Sequence, residues 1–392
     1  MKVAFVTDYD GRDIQQWSGL GYFIAQALIG SGLELDYFSP LVVEPITRLR
    51  VNVKAAYQRA FRPGRYFRGH DALIARSYAR QVDAKLAVRP DIDLIFSPGT
   101  IPIAFLKDRR PLVYWSDATH AAIFGFYPEY SNLCASSQSD GHAIEGAALG
   151  RAAAALFSSE WAAASARRDY RAPAERVHCI PFGANLEHPP SAQDVERSIQ
   201  QRTRQRCRLL FLGVDWVRKG GALAVQVAEA LNRGGLPTEL TIVGCSPFPL
   251  GGVPPFMRLE GFLSKRQPAG EQRLRVLLAE HHFLIAPALA ECYGLAFCEA
   301  NAFGLPCLAR HSGGVPTIIC HGENGWLFDP AADAATYAAA IQAVFADRER
   351  YLIAARHARR HYELRLNWDV AGRRAADILY HCQATSPWRP RS

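Results

Sequence analysis

Short apolar runs alternate with segments of helical period along most of the chain. In the first half, residues 3–7, 94–97, 112–115 and 154–158 are near-continuous apolar runs closed by polar turns. That is the pattern of strands covered on both faces of a parallel sheet. Residues 22–30 and the Ala-rich 161–170 read as helices between them, and 177–180 reads as a further strand leading into Pro181-Phe-Gly-Ala-Asn185. From 186 to 205 the chain turns polar, charged and proline-bearing, without an apolar run, and 188–205 is expected to be a linker. Alternation resumes at 208–213 and continues with strands at 239–243, 283–286 and 306–309 and a helix over 334–345. The expectation is an α/β protein of two Rossmann-like, doubly wound parallel-sheet domains, 1–187 and 206–365. Ligands of such sheets bind beyond the carboxyl ends of the strands, so the two domains are expected to face a central cleft that holds the site. No repeat of solenoid period is visible.

Composition narrows the class. Hydrophobic residues make up 49% and charged residues 21%, as in globular enzymes rather than disordered chains. Only the end, where Ser386, Pro387 and Pro390 sit among arginines, is expected to lack structure. No apolar stretch is long enough for a membrane span, and the strand at 3–7 is cut off too early by Asp8 and Asp10 to be a signal peptide. The chain is therefore expected in the cytoplasm. Nine cysteines are scattered without a Cys-x-x-Cys pair, which fits reduced buried thiols and gives no spacing for a zinc site.

The net charge of +8 is carried mainly by arginine. Its densest stretch holds Arg48, Arg50, Lys54, Arg59, Arg62, Arg65 and Arg68, interleaved with Tyr57, Phe61, Tyr66 and Phe67. Such a segment suits an anionic membrane surface or a phosphate-bearing acceptor, and equally a solvated helix with its aromatic residues turned inward. No nucleic-acid motif accompanies it, so no nucleic-acid partner is expected.

The segment richest in chemistry is Pro287-Ala-Leu-Ala-Glu291-Cys-Tyr293-Gly294-Leu295-Ala296-Phe-Cys-Glu299-Ala-Asn-Ala-Phe-Gly304-Leu-Pro306. A strand ends near Pro287, Glu291 lies on the loop, and Gly294 marks the turn into a helix. The N–H groups of Gly294, Leu295 and Ala296 would point at phosphate oxygens from a helix N-terminus. Glu299, a turn into the helix, could accept from vicinal sugar hydroxyls, while Glu291 would face whatever hangs from the phosphates. Two glutamates alone are more often solvated surface residues; the surrounding glycines and prolines shift that balance. Upstream, Phe211-Leu-Gly213-Val-Asp-Trp-Val-Arg218-Lys219-Gly220-Gly221 places two cations at a helix start, suited to neutralising a diphosphate as it departs.

These motifs resemble the retaining glycosyltransferases of family 4 (group 1), which have the GT-B fold. Glu291, Gly294, Glu299, Ala300, Gly304 and Pro306 match the family's donor motif, with Cys292-Tyr293 where Gly-Phe is usual. His311-Ser-Gly313-Gly314-Val-Pro316 and Gly322-Glu-Asn-Gly325-Trp-Leu-Phe328 extend the likeness. The resemblance implies that Glu291 contacts donor-sugar hydroxyls and Glu299 the ribose. Lys219 matches a family cation; Val214 stands where an Arg is usual, and Arg218 would supply that charge from beside it. Val243-Gly244-Cys245 and Glu260-Gly261-Phe262-Leu263 resemble the loops that hold the base, and Trp17-Ser-Gly19-Leu-Gly21-Tyr22 resembles a glycine-rich turn near the donor phosphates. Many members place a His after the strand matching 112–115; here Asp117 falls near that point, with His120 a few residues on. The helical stretch within 366–392 would pack back on the first domain.

The resemblance further implies a hexose transferred with retention of configuration from a nucleotide sugar, UDP- or GDP-linked, to a glycan, lipid-linked or polysaccharide acceptor. No cofactor or metal would be required, and no side chain would act as nucleophile. Asp91-Ile-Asp93, an Asp-x-Asp that binds metal in another glycosyltransferase fold, stands at a strand entrance rather than an exit. Attachment to the inner face of the cytoplasmic membrane is the second localisation considered. Two rivals remain open: a NAD-dependent dehydrogenase or sugar-nucleotide epimerase, for which Gly19, Gly21 and Asp36 are an incomplete fingerprint, and a non-catalytic sugar-nucleotide binding protein.

Overall fold

The computed structural model describes residues 1–245 and 252–388, so the expectation for Pro390 lies outside the described residues. The chain divides into two compact units. Unit 1 is Met1–Pro181 with Trp368–Ser392, and unit 2 is Phe182–Asn367.

Unit 1 is built on β1 (Lys2–Val6), β2 (Glu34–Phe38), β3 (Leu94–Ser97), β4 (Leu112–Ser116), β5 (Ala154–Phe157) and β6 (Val177–Cys179). They form one parallel sheet in the order β2-β1-β3-β4-β5-β6. Val3 to Val6 are fully buried, as strands covered by helices on both faces must be. Phe5 stacks on Phe96 at 5.7 Å between ring centroids, and Tyr114 meets Phe157 edge-on at 5.8 Å. Trp115 is wholly buried, and its indole N–H donates to the Ile180 carbonyl at 3.1 Å. The helix Trp368–Thr385 lies against the helix Leu20–Gly30. Gly372 permits that approach, since a Cβ there would come within 2.5 Å of the Ala27 carbonyl oxygen. Trp368 stacks on Phe23 beside it.

Unit 2 carries β7 (Cys207–Leu212), β8 (Thr238–Val243), β9 (Met257–Gly261), β10 (Phe283–Ala286), β11 (Cys307–Arg310) and β12 (Gly325–Phe328). This sheet is also parallel, ordered β12-β11-β10-β7-β8-β9. The order in which strands are added reverses between β7 and β10, the point at which doubly wound sheets open a crevice for ligands. In unit 1 the corresponding reversal lies between β1 and β3.

The segment expected as linker contains a helix instead, Ala192–Gln201. Its Val195 and Ile199, one turn apart, are almost fully buried beside Gly304, where a Cβ would meet both side chains. Two apolar positions among charged ones are enough to pin a short helix but too few to stand out in a polar sequence. Directly after it, Arg202 is 4% exposed and donates to the carbonyls of Ala279, Phe303 and Gly304 at 3.0, 2.9 and 2.7 Å. It thereby caps the C-terminal end of the helix that carries Glu299.

Candidate donor site in unit 2

The strand exits on either side of the reversal in unit 2 are sewn together by backbone contacts. Leu289 N–H donates to the Arg218 carbonyl at 2.7 Å, and Arg218 Nη1 donates to the Ala290 carbonyl at 3.1 Å. A side chain at Gly220 would collide with the Pro287 carbonyl, so glycine is required for the two loops to touch. Beside them, Gly213 N–H donates to Val243 O at 3.0 Å and Gly244 N–H to Gly261 O at 2.8 Å. Gly244 has φ +101°, and a Cβ there would lie 2.6 Å from the Gly213 carbonyl oxygen. The loops expected to hold the base therefore close on the β7 exit backbone to backbone.

Within this frame Arg218, Lys219 and Glu291 meet. Lys219 Nζ hydrogen-bonds Glu291 Oε2, and Arg218 Nη1 lies 3.6 Å from the same oxygen. Arg218 also faces Asp215, with Nε 3.5 Å from Oδ2. Glu291 is 7% exposed, as expected of a carboxylate held by paired charges rather than solvated on a loop. Gly294, at φ +103°, opens the helix Leu295–Ala302 with no side-chain cap. The donors of Leu295 and Ala296, partly exposed, stand at that uncapped start. A Cβ at Gly294 would press 3.3 Å from Glu291 Cγ, so the helix start and the carboxylate are direct neighbours.

Glu299 is buried to 5% exposure and accepts from Lys265 Nζ, which also reaches the Asn185 carbonyl at 3.3 Å. Sequence reading passed over Lys265: a lone lysine in the run after β9 carries no periodic or motif signal. Tyr293 is 3% exposed, and its hydroxyl donates to the Phe182 carbonyl at 2.7 Å. Its side chain thus anchors the loop from beneath, although it was expected to bind donor. Phe262 is exposed, and Leu263 is half-buried on the same run.

The remaining expected site residues belong to unit 1. Gly19, φ +83°, opens the helix Leu20–Gly30 after Trp17 and Ser18, both also left-handed. Gly21 lies inside that helix, where a side chain would strike the Tyr9 ring. Asp117 follows the end of β4 and is half-buried. His120 begins the short helix His120–Ile123 and is 2% exposed. Its ring is packed into the unit, Nδ1 lying 3.2 Å from His70 Nδ1, and Gly141 leaves the space that the ring fills. Burial, reinforced by the neighbouring His70 and His142, lowers its pKa to about 3, so the imidazole is neutral. Glu145, on the Ala135–Arg151 helix, receives the His120 N–H at 3.3 Å, and burial raises its carboxyl to about 7. Neither His70 nor Glu145 carries a sequence signal, because both act through contacts made by distant segments.

Other candidate groups are otherwise engaged. Asp91 pairs with Lys2 and Arg89, and Asp93 accepts from the Lys2 N–H at 2.8 Å, which ties strand ends together. Asp36 pairs with Arg89. Cys320, Glu323 and His361 lie close enough to share a cation. However, Arg365 donates to His361 Nδ1 at 3.1 Å and to Cys320 Sγ at 3.5 Å, putting a positive charge where a metal would sit.

Residues 194–361, nearly all of unit 2, match the family model described as Glycosyl transferases group 1. A D-inositol 3-phosphate glycosyltransferase of Xylanimonas cellulosilytica is 29% identical over 238 residues, 56% of this chain and 54% of that protein. The chain spans about half the length, or less, of the curated relatives it matches first. The sucrose-phosphate synthase of Thermosynechococcus elongatus superposes with a TM-score of 0.70 at 16% identity, covering 98% of this chain and 100% of that one. HepE of Anabaena, solved in complex with UDP-glucose, gives 0.62 at 18% identity over 97% and 100%. Fold and matched region define the class: a chain of GT-B fold whose residues 194–361 match the glycosyl transferases group 1 model.

Proposed function

We propose that the chain is a retaining, metal-independent hexosyltransferase of family 4 that uses a UDP- or GDP-sugar and delivers the sugar to a glycan, lipid-linked or polysaccharide acceptor. The observation that carries this reading is the meeting of Arg218, Lys219 and Glu291 beside the uncapped helix start at Gly294, where the strand order of the unit 2 sheet reverses. At an effective dielectric near 20, unit charges about 4 Å apart attract by roughly 4 kcal/mol before desolvation. A diphosphate brings two such charges to cations that now share Glu291 and Asp215. It would therefore displace those carboxylates and free Glu291 for sugar hydroxyls.

Glu299, held by Lys265, would take the ribose hydroxyls. As the glycosidic bond to phosphate breaks, Arg218, Lys219 and the helix N–H groups would stabilise the leaving diphosphate. These cations supply the positive charge that a metal would otherwise provide. The family resemblance supports front-face attack, with the departing phosphate taking the acceptor proton.

A thermal-shift screen of UDP-, GDP- and ADP-sugars with NAD tests the donor class. Stabilisation by NAD alone would favour the dehydrogenase or epimerase. Turnover and product anomer, followed by NMR with the best donor in the presence of EDTA, test transfer, retention and metal independence. Donor binding without turnover on any acceptor offered would leave a sugar-nucleotide binding protein.

A further inference from the structure

The helix Pro45–Phe61 of unit 1 is unlike the rest of the molecule. Only Thr47 and Val51 along it are buried. Ile46, Leu49, Val53, Tyr57 and Phe61 recur every three or four residues and stand 55, 59, 63, 48 and 71% exposed. That spacing lines them along one stripe whose centre lies a quarter-turn or more from the buried positions. Single exposed apolar side chains are ordinary, but a helix-long stripe marks a surface that meets something apolar. Val42, ahead of the helix, is 60% exposed as well.

Charge identifies the occupant. No Asp or Glu occurs from Pro45 to His70, whereas Arg48, Arg50, Arg59 and Arg62 stand exposed along the helix and at its end. Other cations of the run are employed inside the unit: Lys54 on Asp71 and Asp140, and Arg65 on the carbonyls of Pro128 and Glu129. A protein partner would have to match an apolar ridge and also supply acids for the arginines around it. A bilayer of anionic lipid offers both at once, with acyl chains under the stripe and phosphates for the guanidinium groups. Among the described residues no helix is long and apolar enough to cross a membrane, which leaves an in-plane attachment.

We infer that the Pro45–Phe61 helix is an interfacial anchor that lays its Ile46–Phe61 stripe into the headgroup region of an anionic membrane. This holds whether or not the chain transfers sugar, because vesicle binding is measured without donor. The test is flotation of the full chain with vesicles of phosphatidylcholine alone or containing phosphatidylglycerol. Binding is expected only to the latter, falling steeply between low and physiological salt. Leu49→Ser with Phe61→Ser should weaken it about tenfold or more, and Arg48→Gln with Arg59→Gln should flatten the salt dependence. Val88→Ser, an exposed apolar site elsewhere in unit 1, should change nothing. Absence of wild-type binding to phosphatidylglycerol at low salt would overturn the inference. So would unchanged binding by the serine variant, or self-association that the serine variant abolishes, which would make a second copy the occupant.

Discussion

The two units build the same kind of sheet but arm its point of reversal differently. After β1, unit 1 places Asp8, Asp10 and Asp13, with Arg12 drawn away over the Tyr37 ring. After β7, unit 2 places Arg218 and Lys219, which close on the β10 exit through Glu291. An acidic loop repels phosphate and suits hydroxyl groups; a basic one with an uncapped helix beside it suits a diphosphate. Parallel topology supplies the crevice in both units. The charge of a few loop residues decides what each crevice can hold.

The sharpest way to break this contrast is to remove the unit 2 charges. Lys219→Ala should lower turnover by about a hundred- to a thousandfold, the usual toll of deleting one group that stabilises a leaving charge. Glu299→Ala should be as severe, and circular dichroism should show both variants folded. Wild-type turnover from either would remove unit 2 as the donor site.

Lys265→Met probes a smaller element of the same site. It strips the nearly buried Glu299 of its ion pair, and the donor KM should rise several-fold with kcat less affected. An unchanged KM would show that Lys265 does not position Glu299.

Acid and base test the inside of unit 1. Burial raises the Glu145 carboxyl to about 7, so its folded-state pKa exceeds the unfolded one and the folded state holds its proton longer. Stability from this group is full below about pH 4.5 and lost as pH rises through 7. Glu145→Gln should therefore melt a few degrees above wild type at pH 8, with the gap closing near pH 5. His70 and His120 act in the opposite sense. Burial lowers them to about 4 and about 3, so their contribution is full above pH 6.5 and declines as acid drives their protonation. His281 and His282 of unit 2 are lowered in the same way, to about 4 and about 3, but each ring nitrogen there has a hydrogen-bond partner. In unit 1, His120 Nε2 is buried without one. Acid melting below pH 6 should accordingly be relieved more by His120→Phe than by His281→Phe, as differential scanning calorimetry would show.

The smallest effect is expected from the acidic side of the comparison. Asp8→Asn with Asp10→Asn should leave nucleotide diphosphate affinity within about twofold in titration calorimetry. A large change would tie the unit 1 loop to the donor phosphates, where Gly19 and Gly21 were expected to act.

The apolar runs alone determined most of both sheets, because a strand buried on two faces must be continuously apolar. The strands missed were β2, β9 and β12, each at a sheet edge; in β2 and β9 one side meets solvent and side chains such as Glu34, Arg258 and Glu260 break the run, while β12 is only the four residues Gly325–Phe328. Motif spacing likewise singled out Arg218, Lys219 and Glu291, which the structure brings together, and Gly294, which opens a helix, because glycines mark such loop and helix-start positions. Tertiary structure alone decided the rest. It turned Tyr293 inward to Phe182 and gave Glu299 its partner in Lys265. It also drew Val195 and Ile199 of a polar segment into the core and left the stripe from Ile46 to Phe61 uncovered. Each of these depends on which distant segment arrives opposite a side chain, and a pattern read along one chain does not contain that.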